Sequence, residues 1–377
     1  MKDDEPTPSR ATGRGVAGRQ AAGRGEAGSR QVDARRDDGG PEPTPRSWLF
    51  VPGAAERYVA KLADVRPDAA ILDLEDGISA RDVEASRSRV AAVLGADRVD
   101  TALPPIVAVR SHPVSSTEFK NDCAALGPRL DVLMLPKVAE AAEVREAAAR
   151  LEAAGLAHVR LVVMIESARG LENLASILSA HQSLVGVAFG AEDFAADIGL
   201  PPQVVGRGDA ASRGEGARGA SRAAGESGRL AVLDAVRTRL VTTAAAAGVP
   251  WRIDTPVLRL RPLSLVEAEA RRSRSMGFGG KFVIHPSHVQ PVHDGYAPSA
   301  AEIAWARAVL GGGADGAGVA RPAADAVDAA RTSGGAPDAA QMVDEAVARQ
   351  ARAVLRSAER ASSEASGEGL RHPSQDL

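Results

Sequence analysis

The chain has 377 residues, 44% of them apolar, which suffices for a large core and matches one α/β barrel with extensions. Its 46 basic and 49 acidic side chains leave a formal net charge of −3, so neither nucleic acid nor an anionic membrane is expected as a partner. Cys123 is the single cysteine, which excludes an internal disulfide and fits a reducing, cytoplasmic compartment. No apolar run approaches the roughly 18 residues of a membrane span, and the N-terminus lacks the apolar stretch of a secretory signal.

Residues 1–44 carry almost no large apolar side chains and are expected to be a disordered tail, because they cannot bury enough surface to offset ordering entropy. Their Gly-Arg repeats, such as Gly13-Arg14-Gly15, suggest RNA binding only weakly, since acids nearly balance the arginines. Short apolar runs suited to buried strands follow at Trp48–Val51, Ala70–Leu74, Ile106–Val109 and Val132–Leu135. Four more lie at Leu161–Ile165, Val185–Phe189, Val249–Ile253 and Phe282–Ile284. Alanine-rich, helix-patterned segments separate most of them, as at Ala139–Ala154 and Leu230–Ala247. Residues 206–228 repeat the composition of the N-terminal tail and are expected to be an inserted flexible loop. Residues 311–337 have a linker composition, 338–360 a helical one, and 361–377 the look of a frayed tail. Eight strand–helix units over residues 45–310 predict a parallel (β/α)₈ TIM barrel with a C-terminal helical extension. No G-x-G-x-x-G follows the first strand and no G-x-x-x-x-G-K-[ST] occurs, so dinucleotide and P-loop folds lose support.

Charged residues gather just after the strand runs, at ends that share one mouth in a barrel. They are Glu75 and Asp76 after strand two, Arg110 after strand three and Lys137 after strand four. Glu166 follows strand five, and Glu192 and Asp193 follow strand six. One such residue can be loop solvation or a helix cap; a series over five successive strands points to a site.

The pattern then resembles a known family. Arg46-Ser47-Trp48-Leu49-Phe50-Val51-Pro52-Gly53 resembles the R-S-x-L-F-V-P-G opening of the HpcH/HpaI aldolase/citrate lyase superfamily. Leu72-Asp73-Leu74-Glu75-Asp76, Leu135-Pro136-Lys137-Val138 and Ile165-Glu166-Ser167 resemble its L-D-L-E-D, L-P-K-V and I-E-[ST] segments. Gly190-Ala191-Glu192-Asp193-Phe194 and Gly280-Lys281-Phe282-Val283-Ile284-His285-Pro286 resemble G-A-E-D-[FY] and G-K-x-x-I-H-P. The six fall in the family's order, and the nearest branch is the citrate lyase β-like CoA-ester lyases. One departure is His112, where the family often carries asparagine after Val-Arg-x.

The resemblance implies retro-aldol or retro-Claisen cleavage of a malyl-, citramalyl- or citryl-CoA-like ester to acetyl-CoA and a 2-oxo acid. It places Mg²⁺ on Glu166 and Asp193, with CoA as part of the substrate. A hard cation with oxygen ligands suits a chelating oxo acid, and Mg²⁺ commonly takes one or two carboxylates. Arg110 is the expected cation for the developing oxyanion and Glu166 also meets substrate; Glu75 and Asp76 orient Arg110 and metal-bound water, and Lys137 neutralises charge. Asp344, in a Met342-Val343-Asp344 context, matches the general acid that a neighbouring subunit supplies, which implies a homo-oligomer, a trimer by family. Arg46 is the candidate contact for CoA phosphates, while His112, His285 and Cys123 are expected to be structural. A malate synthase-like or malyl-CoA thioesterase activity at the same site, and a non-catalytic subunit of a larger complex, are the alternatives.

Overall fold

The computed structural model describes residues 43–76, 78–95, 103–202, 216–311 and 345–365, with backbone alone for 216–226 and 363–365. Eight strands, β1 (Ser47–Pro52), β2 (Ala69–Asp73), β3 (Ile106–Arg110), β4 (Val132–Leu135), β5 (Arg160–Ile165), β6 (Leu184–Phe189), β7 (Trp251–Asp254) and β8 (Gly280–Val283), form a closed barrel in chain order. Every neighbouring pair is parallel, including the closing pair β1–β8. The expected TIM barrel is therefore present, with helices in the connections and a C-terminal helix, Glu345–Ala365, beyond it.

The period of two along each strand sorts side chains into two layers. Trp48, Ile71, Ala108, Met134, Val162, Met164, Trp251 and Phe282 fill the barrel interior, and Phe50 packs on that cluster. Their neighbours Leu49, Leu72, Val109, Leu133, Val163, Val187 and Val283 face the helices and join the larger outer core. The interior alternation, continued by one step, points Asp73, Arg110 and Glu166 into the mouth.

Two segment boundaries differ from expectation. The long helix before β7 begins at Gly216, so 216–228 continue a helix where a loop was expected; alanine-rich sequence extends an existing helix at low cost. Residues 206–215 and the 312–344 stretch lie outside the described residues. The C-terminal helix runs to Ala365, past the expected end at 360. It packs on the helix Ala300–Gly311, and Arg360 Nη2 donates to Asp68 Oδ2 at 2.8 Å, beneath β2. No described helix is long and apolar enough to cross a membrane.

Candidate active site

Asp73 and Arg110 are register neighbours at the ends of β2 and β3. Arg110 Nε donates to Asp73 Oδ1 and Nη2 to Asp73 Oδ2, both at 2.7 Å, a two-pronged pairing that fixes the guanidinium plane. Its remaining nitrogen, Nη1, donates to Asp76 Oδ2 at 3.1 Å and lies 3.1 Å from Glu75 Oε2. Beneath it, the Phe50 ring centroid is 4.7 Å from the guanidinium carbon. Burial opposes the Arg110 charge, but Asp73, Glu75 and Asp76 outweigh it and hold the group firmly protonated.

Lys137 ties this cluster to β5. Its Nζ donates to Glu75 Oε1 at 2.5 Å, and its backbone N donates to Glu166 Oε2 at 2.7 Å. Residue 137 has φ of +53°, in the left-handed region where side chains are disfavoured. That backbone turn accompanies the amide's bond to Glu166. Glu166 is 4% exposed, and its pKa is pushed up to about 8 by burial and by repulsion from Glu75 and Asp193. Glu75 is raised as well, since burial and Asp76 outweigh the help from Arg110 and Lys137. Asp193 occupies the first turn of the helix Ala191–Asp197 and is exposed, with its charge felt at Glu166.

Of the residues expected at a site, Glu75, Asp76, Arg110, Lys137 and Glu166 are in one contact chain, and Asp193 is coupled to it electrostatically. Asp73 and Gly190 join them. A β-carbon on Gly190 would overlap the Glu166 carboxyl, so a side chain there is sterically excluded. Asp344 lies outside the described residues. Arg46, expected at CoA phosphates, stands apart from this cluster. It sits just before β1, at the floor of the barrel, 7% exposed, and grips Asp68 through Nε and Nη2 at 3.1 Å each. Strand polarity is the reason: residues before a strand end at the floor, those after it at the mouth. His112 is held by Asp122, with Nδ1 2.8 Å from Oδ2, and Asp122 is itself paired with Arg87.

The mouth fits a hard divalent cation without forming a closed cage. Among the described residues no three His, Cys, Asp or Glu side chains converge as a metal site. Glu166 Oε1 takes no hydrogen bond among the described residues, whereas Glu75 Oε2 is buried against Arg110 Nη1 at 3.1 Å. The open oxygen of Glu166 and the exposed Asp193 suit a cation that keeps water or substrate in its other positions.

The family described as HpcH/HpaI aldolase/citrate lyase matches residues 46–286. A citrate lyase subunit beta-like protein of Deinococcus radiodurans is 30% identical over 311 residues, covering 82% of this chain and 96% of that protein. The mitochondrial citramalyl-CoA lyase of Homo sapiens is 29% identical over 281 residues, covering 70% and 74%. The structure of CitE from Mycobacterium tuberculosis in complex with magnesium, acetoacetate and coenzyme A aligns with a TM-score of 0.60 at 29% identity, covering 84% of this chain and 98% of that one. With its closed parallel barrel and with carboxylates and an arginine at the strand ends, the chain belongs to the HpcH/HpaI aldolase/citrate lyase family.

Proposed function

We propose that the chain is a Mg²⁺-dependent carbon–carbon lyase that cleaves a carboxylated 3-hydroxyacyl-CoA into an acyl-CoA, typically acetyl-CoA, and a 2-oxo acid. The observation that carries this reading is one contact chain, Asp73–Arg110–Glu75–Lys137–Glu166, which joins a fixed guanidinium to a buried carboxylate across four strand ends. Glu166 and Asp193 would hold the cation, which when bound supplies Lewis-acid polarisation of the oxo-acid oxygens. The relatives named for citramalyl-CoA lyase activity and the magnesium and coenzyme A complex of CitE support the same assignment.

In cleavage, the C2–C3 bond breaks and its electron pair moves onto the thioester as an enolate. Arg110 faces that charge through Nη1. Asp73 occupies the other two nitrogens, and Asp76, whose side chain is 62% exposed, can swing away from Nη1. Glu75, paired through Oε2 with Arg110 Nη1, takes the C3 hydroxyl proton, and its raised pKa suits that uptake. A proton then reaches C2 of the enolate; Asp344 is the acid for this step on its sequence context. The reading includes a cytoplasmic homotrimer in which Asp344 serves a neighbouring subunit.

The test is incubation of the full chain with Mg²⁺ and candidate CoA esters, reading released 2-oxo acid and acyl-CoA. Glu166→Gln and Asp193→Asn are expected to lose nearly all turnover while staying folded. Full activity in either removes the metal assignment, and release of hydroxy acid with free CoA replaces the lyase by a thioesterase.

A further inference from the structure

Behind β7, outside the barrel, lies a cavity of about 490 Å³ that shares no residue with the contact chain of the mouth. It opens between the helix Gly216–Ala246, the helix Leu263–Ser275 and the loop that follows β7. Its floor is charged. Ile253 faces the barrel interior, so Asp254 faces outward, where it meets Arg237 from the first of these helices and Lys281 from β8. Arg237 is 4% exposed. Its Nε donates to Asp254 Oδ1 at 2.9 Å and its Nη1 to Asp234 Oδ1 at 3.2 Å, while its Nη2 has no acceptor among the described residues. A buried guanidinium with one nitrogen left over favours an anion that can engage it.

The charge balance agrees. Arg229, Arg237, Arg259, Arg272 and Lys281 line the cavity with only Glu192 and Glu269, and Asp234 and Asp254 behind them still leave one formal positive charge over. Arg229 is engaged by Glu192 and by the Pro201 carbonyl, both at 2.8 Å. Arg259 is exposed and has no ion pair among the described residues. The walls, by contrast, are hydrocarbon: Leu233 and Leu265 lie in the lining, and Leu230 and Leu258 beside them remain 45% and 42% exposed. Leucines open to solvent next to an open guanidinium nitrogen match a ligand that has both a charge and an apolar body.

We propose that this cavity is a second ligand site, separate from the mouth, and that it takes a carboxylate with a hydrocarbon tail of several carbons. The carboxylate meets Arg237 Nη2, with Arg259 as the second cation, and the tail lies along Leu230, Leu233, Leu258 and Leu265. A bare inorganic anion would leave those leucines in water, and an uncharged tail would leave the guanidinium nitrogen open. The site stands or falls independently of the lyase reading, because none of these residues belongs to the chain from Asp73 to Glu166.

Calorimetry on the full chain with submillimolar octanoate is the test. Octanoate is expected to bind at least about tenfold more tightly than butanoate, 1-octanol or inorganic phosphate. Equal binding of butanoate or phosphate overturns the part given to the tail, equal binding of 1-octanol overturns the part given to the carboxylate, and no binding of octanoate overturns the whole. Saturating pyruvate with Mg²⁺ is expected to leave octanoate affinity within about twofold; displacement puts octanoate in the mouth and overturns the second site. Arg259→Glu and Leu230→Asp, both at exposed side chains, are expected to weaken octanoate binding at least about tenfold each with unchanged circular dichroism. Wild-type affinity in either folded variant overturns the placement in this cavity.

Discussion

Gly190 and Glu166 occupy adjoining space so tightly that a β-carbon on residue 190 would overlap the Glu166 carboxyl. The backbone at Gly190 has φ of −94°, which any residue can adopt, so the constraint is steric and not conformational. Gly190→Ala should therefore fold while forcing Glu166 away from the Lys137 amide. Overpacking of this kind costs roughly 1–3 kcal/mol. We expect Mg²⁺ affinity and kcat each to fall by at least tenfold with unchanged circular dichroism; wild-type Mg²⁺ affinity by calorimetry would show that the carboxylate has room to move.

Arg110 is held by the fork-shaped match of its guanidinium to Asp73, which lysine cannot reproduce. Arg110→Lys keeps the charge and loses both the fork and the aimed third nitrogen. Kcat is expected to fall about 10²–10³-fold, in line with loss of one oxyanion donor, with KM for the ester changing far less. A change confined to KM would make Arg110 a ground-state binding residue.

Much of this was legible beforehand, for a physical reason: buried parallel strands are continuous apolar runs, and Val132–Leu135 needed no adjustment. β8 starts earlier than its apolar run because Gly280 and Lys281 belong to it; Lys281 is buried only because Asp254 and Ser273 receive its ammonium, at 3.0 and 3.2 Å. β7 starts later, since Val249 is buried as loop and not as strand. The motif residues at the mouth were readable from strand polarity, but Arg46 follows the same rule to the opposite end. Asp73 looks like one more loop acid until the interior alternation from Ala69 through Ile71 is extended to it. Gly190 gives no sequence signal of its own, because the need for a missing side chain is visible only beside Glu166.

The pKa of Glu166 near 8 makes metal binding pH-dependent, because a protonated carboxyl is a poor ligand. Apparent Mg²⁺ affinity should rise up to about tenfold per pH unit between pH 6 and 8 and level off above. The sign for metal-free stability is opposite. A carboxyl whose folded pKa is raised from 4.5 to about 8 contributes stability fully below 4.5 and loses it as pH rises through 8. Glu166→Gln should therefore unfold at a higher temperature than the wild type at pH 8–9 without metal, and show a flat Mg²⁺ response. Equal unfolding temperatures across pH 5–9 would mean that burial does not hold the proton there.

Lys137 serves through two different groups, and a glycine separates them. Lys137→Gly relieves the positive φ and keeps the amide that meets Glu166, while removing the ammonium from Glu75. Mg²⁺ affinity is expected to stay within about threefold of wild type and kcat to fall by at least tenfold. Loss of metal affinity would assign the ammonium, not the amide, to the support of Glu166.

Far from the mouth, Asp68 gathers Arg46, Arg360 and His293 at the barrel floor, and Ser47 Oγ lies 2.8 Å from His293 Nε2. Burial raises its pKa, but the arginines outweigh burial and hold the carboxyl well below its ordinary 3.8. A depressed carboxylate contributes stability at neutral pH that is lost as pH falls below about 4. Asp68→Asn leaves two arginines without their shared anion and releases the C-terminal helix from the floor. Breaking a buried pair by removing one partner costs about 3–5 kcal/mol, so the unfolding temperature at pH 7 should drop by roughly 5–15 °C. Part of the acid limb of the wild-type stability curve should vanish with it. Because the floor lies a full strand length from Arg110, kcat of the folded fraction at low temperature should stay within about twofold of wild type. A larger loss of kcat would reveal that the docking of the C-terminal helix reaches the mouth.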